Sequence, residues 1–561
     1  MKNGMKTLLS KTKVKEIFKD KVSRSLDTFF YHFIFFILIL GVLLFILWPS
    51  IAVVKESLYI DGNLSFELYK SLFQDNAKLL SNSFLVASLT TILTIFLSLN
   101  TALYLSYTGD KVKKFIFIIL LLTMISPPFV SSLAYIKLFG RRGFITHSLL
   151  GLNLNTYGWH GVVLMQTFSH TSLATLIITG VLQGIDNNII NAAQDLKADL
   201  WHILKDIIIP LAKPGIIVAA LLTFVKSLAD FGTPIIIGGS FNVLATEAYL
   251  NVIAYFNLPR AAALNVLLLI PALLAFIVYW YYMKNTKIEI GRNIKTVNLD
   301  TNKFKLTGWV KKVITFITWF FIIFIILQYL TIFLSAITKY TNGNLVFTLK
   351  HIKGFNLREL ESFFRSLRYA FITGIVGSII GLLLSYFIEK SKIKGIKIID
   401  MITTLPYIMP GTFFGIGYLL AFNNKPLLLV GTTLIVQLNF IYRQMPLVTK
   451  SGSAILSKIN PNIEEAAKDL GATKMSIIKD IIMPLLKPAF LISFVNNFAV
   501  TMTSIGAVIF LIYPGESIAT VEMFNNIENG DYGVGAVIAC MIIFSTLVIN
   551  LIFSKFLLKD E

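Results

Sequence analysis

Residues 459–488 read INPNIEEAAKDLGATKMSIIKDIIMPLLKP, and residues 185–214 read IDNNIINAAQDLKADLWHILKDIIIPLAKP. Set against each other at an offset of 274 residues, without a gap, they agree at 17 of 30 positions. Ala192-Ala193 falls on Ala466-Ala467, Lys205-Asp206 on Lys479-Asp480, and Pro210 and Pro214 on Pro484 and Pro488. The same offset carries Gly232 onto Gly506 and Ala245-Thr246 onto Ala519-Thr520. An ungapped match of this length marks an internal repeat. The chain is therefore two homologous halves fused in parallel orientation.

Outward from each copy the sequence is apolar. Of 561 residues 55% are apolar and only 14% charged, with a mean hydropathy of +0.74. A soluble enzyme of this size carries nearly twice that share of charge. Runs of at least 18 apolar residues fit helices crossing a hydrocarbon core about 30 Å thick. Six such runs precede residue 284, near 33–54, 83–107, 115–139, 159–182, 213–234 and 261–283. Six more lie near 313–337, 367–388, 396–421, 427–449, 487–512 and 534–557. The fold class is an all-α polytopic membrane protein with about 12 transmembrane helices in two six-helix halves. The divisions are a basic N-terminus at 1–32, a first half at 33–283, a linker at 284–312 and a second half at 313–557.

The net charge of +20 does not point to nucleic acid, because the basic residues sit in short segments between apolar runs and form no basic domain. Cys540 is the one cysteine, which excludes an intrachain disulfide, and six scattered histidines show no metal-ligand spacing. The first apolar run exceeds a signal-peptide core and is read as an uncleaved span. About 34 of the 50 basic residues fall on one side of the membrane and about 14 on the other. The N-terminus and the linker carry eight each. The excess of Lys and Arg places both termini, the linker and the repeated loops in the cytoplasm. The loop 339–368, with six basic residues, is an exception on the outer side.

The repeated segment is thus a cytoplasmic loop, yet it is the best-matched part of the two halves. Loops diverge readily unless something holds them. The stretch Asn462–Leu470 favours helix, its paired alanines allow close approach, Gly471 breaks it, and Pro484 and Pro488 suit the start of the next span.

The spacing Glu465-Ala466-Ala467, then Gly471, then Pro484 resembles the EAA loop of permeases of binding-protein-dependent ABC importers. The resemblance implies that 186–204 and 460–478 are coupling helices, each seated in a groove of a cytoplasmic ATPase subunit and carrying its closure to the pore. The ATPase-coupling residues it implies are Asn191, Ala192, Ala193 and Lys197 in the first loop, and Glu464, Glu465, Ala466, Ala467 and Gly471 in the second. The first copy departs from the pattern, with Asn191 for the glutamate and Lys197 for the glycine, so it is expected to dock differently. The segment Ser227-Leu228-Ala229-Asp230-Phe231-Gly232-Thr233-Pro234, followed by Gly238-Gly239 and Leu244-Ala245-Thr246, is similar to ferric-iron importer permeases. Relatives in that group move 2-aminoethylphosphonate, hexose phosphates, thiamine, sulfate or polyamines. The expected partners are two copies of the ATPase, an extracytoplasmic solute-binding protein and the bilayer of the bacterial inner membrane. ATP and magnesium belong to the partner ATPase and no cofactor to this chain, which has no G-x-x-x-x-G-K-[ST] loop.

Polar residues within spans mark candidate pathway positions. Lys226 lies about 13 residues, roughly 20 Å, beyond the start of the fifth span, and Asp230 follows one turn later, where the two can pair. Arg443 and Gln444 in the tenth span fall on Ser169 and His170 of the first half, and Asn496, Asn497 and Ser504 lie in or near the eleventh. Each has a plainer reading: a neutralising pair for Lys226–Asp230, snorkelling for Arg443, packing for His170, and helix–helix hydrogen bonding for Asn496 and Asn497. If they line the pore, Lys226, Arg443 and His170 favour an anionic solute, whereas bare ferric ion would want carboxylate or tyrosine oxygen. Iron nonetheless leads, because the outer receptor sets specificity in this family. An anionic phosphorus compound is the alternative solute. An ion-coupled secondary transporter is the alternative class, with Asp230 as its one good coupling carboxylate.

Overall fold

The computed structural model describes residues 25–557 apart from 61–62, 154, 286–307, 342–343, 392 and 394. Most of the expected linker and of the basic N-terminus therefore lies outside the described residues. In hydrocarbon every backbone N–H and C=O must be satisfied within the protein, so apolar runs of this length become helices. Eight helices among the described residues are long and apolar enough to cross a membrane: Ser25–Leu58, Ala77–Tyr107, Trp159–Gln183, Leu200–Ala229, Leu258–Val278, Gly308–Ile337, Leu357–Lys390 and Tyr532–Phe553. They account for the first, second, fourth, fifth, sixth, seventh, eighth and twelfth expected spans.

The other four runs are interrupted. The third is a pair, Asp110–Met124 and Phe129–Leu149, bent by 103° where Pro127 and Pro128 remove two backbone donors. The ninth divides into Ile396–Ile408 and Gly411–Ala421 around Pro410. The tenth divides into Thr433–Arg443 and Met445–Leu456 just before Pro446. The eleventh is Lys487–Thr503, with Pro488 in its first turn. A two-stranded antiparallel hairpin follows the first helix of each half, Tyr59–Ile60 with Asn63–Leu64 and Thr338–Thr341 with Asn344–Phe347.

Each half lends its first helix to the other. The helix 25–58 packs on the eighth, ninth and tenth spans, with Tyr31 and Phe35 against Phe387 and with Phe45 against Phe422 and Tyr442. Tyr418 Oη donates to the Phe45 carbonyl at 2.8 Å. In return Gly308–Ile337 packs on the second and third spans and, through Phe168, on the fourth. Phe168 stacks on Phe324 with ring centroids 3.9 Å apart, Trp319 Nε1 donates to Tyr104 Oη at 3.1 Å, and Ser126 and Tyr329 share a 2.7 Å hydrogen bond.

Small residues set the other close approaches. A Cβ at Gly381 would stand 2.5 Å from Val448 and one at Gly374 2.8 Å from the Phe494 ring, so these glycines let the eighth helix lie against the tenth and eleventh. Because each half is completed by the other's first helix, fragments cut within residues 286–307 are expected to behave as complementary pieces. Co-expressed, they should elute as one particle in detergent, and expressed singly each should aggregate or be degraded, as size-exclusion chromatography will show.

Candidate functional site

The two repeated loops share their construction bond for bond. The helix Asn187–Asp195 is preceded by Asp186, whose carboxylate accepts from Asn188 N at 2.9 Å; Asn462–Asp469 is preceded by Asn460, whose side chain accepts from Asn462 N at 3.0 Å. Both close with the same pair of backbone bonds. Leu196 N donates to Ala192 O and Leu470 N to Ala466 O, both at 3.1 Å; Ala198 N reaches Ala193 O at 3.0 Å and Ala472 N reaches Ala467 O at 2.9 Å. This is a left-handed C-terminal stop, and the residue at its turn needs positive φ. Gly471 has φ +85° and Lys197 has φ +60°. Lysine in place of glycine thus leaves the backbone of the first loop unaltered.

Burial repeats as well. Ala193 and Ala467 face inward, and Asn191 and Ala192, like Glu465 and Ala466, face outward. Leu196 and Leu470, repeat mates, are 84% and 89% exposed, and Ile189 and Ile463 are exposed beside them. Two copies of one solvent-facing apolar knob is the pattern of a surface awaiting a partner. A difference lies beneath the helices. Glu464 is buried and takes Lys390 Nζ at 2.8 Å, tying the second loop to the end of the eighth helix, whereas its mate Ile190 is simply buried among apolar groups. The second loop is also tied to the first helix: Asp27 accepts from Met475 N at 3.1 Å, and Lys474 Nζ lies 4.7 Å from the centre of the Tyr31 ring.

Beyond each loop the chain passes through a short capped turn into a π-helical stretch, Ile203–Ile208 and Ile477–Ile482, at matching positions. Asp199 caps the first turn and Thr473 the second; the His202 side chain and N–H hold the exposed Asp199 carboxyl below its ordinary range. The fifth and eleventh helices then run to the centre of the molecule.

There the polar residues are distributed unequally. In the first half Gln166 is the hub: its Nε2 donates to Asp230 Oδ2 at 2.9 Å, and its Oε1 accepts from Ser227 at 2.5 Å and Thr90 at 3.3 Å. The helix ends at Ala229, and Asp230, in extended backbone, accepts from Gly232 N at 2.9 Å and Thr233 N at 3.1 Å. The helical turn that would bring Asp230 to Lys226 is therefore missing, and no ion pair joins them among the described residues. In the second half the mate of Asp230 is Ser504, and it accepts from Arg443 Nη1 at 3.1 Å. Arg443 lies over Gly411, where a Cβ would come within 2.9 Å of Nη2.

Asn497 donates to Ser378 at 3.2 Å, between the eleventh and eighth helices. Gln444 is buried, Asn496 is half-buried with its Nδ2 unpartnered, and His170 has a buried, unpartnered Nε2. The halves meet where Phe231 faces Gly506 and where Thr412 donates to Asn265 at 2.6 Å. Gln166, Asn265 and Lys390 were absent from the sequence candidates. A search for uncharged polar residues within spans would have found the first two; Lys390 reads as an ordinary end-of-helix cation.

The left-handed turn allows a direct check. Gly471→Ala adds about 1–2 kcal/mol at positive φ, so the amide of Ala472 should exchange with solvent about tenfold faster, while Lys197→Gly should slow exchange at Ala198. Hydrogen exchange read by mass spectrometry across both loops measures the pair.

A family model described as "binding-protein-dependent transport system inner membrane component" matches this chain twice, at residues 91–288 and 377–557. The ferric transport system permease protein FbpB of Actinobacillus pleuropneumoniae is 28% identical over 529 residues, 92% of this chain and 77% of that protein. A putative ferric transport system permease protein of Haemophilus influenzae is 29% identical over 489 residues, 85% of this chain and 77% of its own. A putative 2-aminoethylphosphonate transport system permease protein of Salmonella paratyphi A is 25% identical over 232 residues, 41% of this chain and 88% of its own. Two family matches within a helical membrane chain, each ending on one copy of the repeat's six-span half, leave one assignment: the chain belongs to the binding-protein-dependent inner-membrane transport family and is an ABC importer permease with both units in one polypeptide.

Proposed function

We propose that this permease carries ferric iron, received from an extracytoplasmic solute-binding protein, with two copies of a cytoplasmic ABC ATPase seated on the loops 186–204 and 460–478. The observation that carries the docking is the matched pair Leu196 and Leu470, each exposed at the end of a helix of the same construction. One groove shape accepts both, so two identical ATPase subunits suffice. ATP and magnesium act on those subunits, and this chain supplies no cofactor. Closure of the ATPase pair draws the two loops together, and the fifth and eleventh helices carry the movement to the centre. The chain lies in the inner membrane with both termini and the linker in the cytoplasm, on the side of the loops.

Iron is supported by the two ferric permeases, which align over most of this chain. A second reading, import of a phosphonate or phosphate ester, is supported by the phosphonate permease and by the cations Lys226 and Arg443 at the centre. Ion-coupled transport is disfavoured by Asp230: its carboxylate is engaged by Gln166 and two backbone amides, where a coupling carboxylate must be free to load and release its ion.

Two measurements test this. Cells with and without the chain are assayed for uptake of radiolabelled ferric iron, 2-aminoethylphosphonate and hexose phosphate; loss of iron uptake alone is expected, and loss of phosphonate or hexose phosphate uptake with iron intact would replace the solute. Leu196→Glu with Leu470→Glu places a carboxylate in each apolar contact. The double variant should stay in the membrane, fail to co-purify with the ATPase and lose at least tenfold in uptake.

A further inference from the structure

Between Pro214 and Asp230 every residue of the fifth helix is buried or half-buried except Lys226, which is exposed. The helix is packed on the second, fourth and sixth, and the residues around Lys226 along it are buried or half-buried, so the exposure is confined to this one side chain. An ammonium inside a membrane protein is tolerated where water or an anion reaches it. No carboxylate does so here: among the described residues Lys226 makes no ion pair, and Asp230 is held by Gln166, Gly232 and Thr233. His170 lies one turn beyond Gln166 on the fourth helix, and Gln166 is bonded to Ser227, the residue next to Lys226; the buried Nε2 of His170 has no hydrogen-bond partner. An exposed ammonium thus stands on the helix beside that of an imidazole whose buried nitrogen keeps unused hydrogen-bonding capacity. The second half has no counterpart, since Lys226 falls on Val500 and His170 on Gln444.

We propose that Lys226 and His170 form a water-filled anion site on the solute's path, which takes an oxyanion, a carboxylate or phosphate group, either free or as a ligand of ferric iron. This rests on the importer reading and specifies the chemical form in which the solute passes. Lys226 supplies the charge, and His170 Nε2 supplies a hydrogen bond to an anion oxygen. A metal ion entering bare would be repelled by the Lys226 ammonium; the same ion wrapped in citrate- or phosphate-type ligands presents oxygens to both groups.

The chain's one cysteine makes the test direct. In a Cys540→Ser background a cysteine replaces Ala229 or Leu222, both half-buried and one turn to either side of Lys226. Reaction of the full chain in membranes with anionic sulfonatoethyl and cationic trimethylammonioethyl methanethiosulfonate is timed. Both reagents should react, and Lys226→Met should lower the anionic-to-cationic rate ratio about tenfold, as expected for one nearby charge partly screened by water; Lys226→Arg should leave it unchanged. Citrate, ferric citrate and inorganic phosphate are then added at millimolar concentration. Slowing by phosphate alone marks a free phosphate group as the ligand, slowing by citrate and ferric citrate alike a carboxylate, and slowing by ferric citrate alone a metal-borne anion. The proposal is overturned if neither cysteine reacts, if the ratio ignores Lys226→Met, or if none of the three anions slows the reaction. Labelling needs neither ATP nor uptake, so a chain that labels as expected yet imports nothing would sink the importer reading by itself.

Discussion

The exchange of first helices between the halves is the contact on which the remaining architecture depends. In a bilayer no hydrophobic force draws helices together, because lipid tails are as apolar as leucine; association rests on fitted packing and hydrogen bonds. The structure supplies both at each crossing: Phe168 stacked on Phe324, the Phe45 ring between Phe422 and Tyr442, and Tyr418, Trp319 and Tyr329 each spending a polar group across the boundary. With those helices in place, the seam at Phe231–Gly506 and Asn265–Thr412 is enclosed, and the polar centre can exist away from lipid.

The first loop is joined to the centre by continuous helix, Leu200–Ala229, and the second by helix interrupted once, at Leu486. In each half a capped turn and a π-helical stretch lead from the exposed leucine into the fifth or eleventh helix. A π turn holds its backbone bonds less economically than an α turn and occurs where function keeps it; its presence at both matched positions places the compliant element directly behind each loop. Among the described residues the second loop carries two ties, Glu464–Lys390 and Asp27–Met475.

The repeat at 185–214 and 459–488 was legible in sequence, and so were the spans, because hydropathy and ungapped identity report on the solvent each segment meets. The breaks were partly legible: the paired prolines at 127–128 and Pro410 anticipate interruption, yet nothing in residues 433–456 except Pro446 signals that the tenth span divides. The coupling of Lys226 with Asp230 is a fair expectation for an unbroken helix and fails because the helix stops at Ala229, a boundary that periodicity does not locate. Lys197 looked like a departure in its loop, but φ is a backbone property that lysine can adopt at a modest cost. Gln166 could be found in sequence only as one more uncharged polar residue within a span; its role as a hub comes from Thr90, Ser227 and Asp230 converging on it, and convergence is tertiary information.

The fusion of the two halves has a consequence for symmetry. A pore built from two copies of one subunit repeats every side chain across its axis, so a lone lysine in the lumen would face its own image and the two charges would repel. One polypeptide escapes that duplication. Once the halves are free to drift apart in sequence, Lys226 can stand opposite Val500, and Asp230 opposite Ser504. The covalent join thus does more than keep the halves at equal number: it permits matched positions to carry different side chains, an asymmetry between the halves that no twofold assembly can possess.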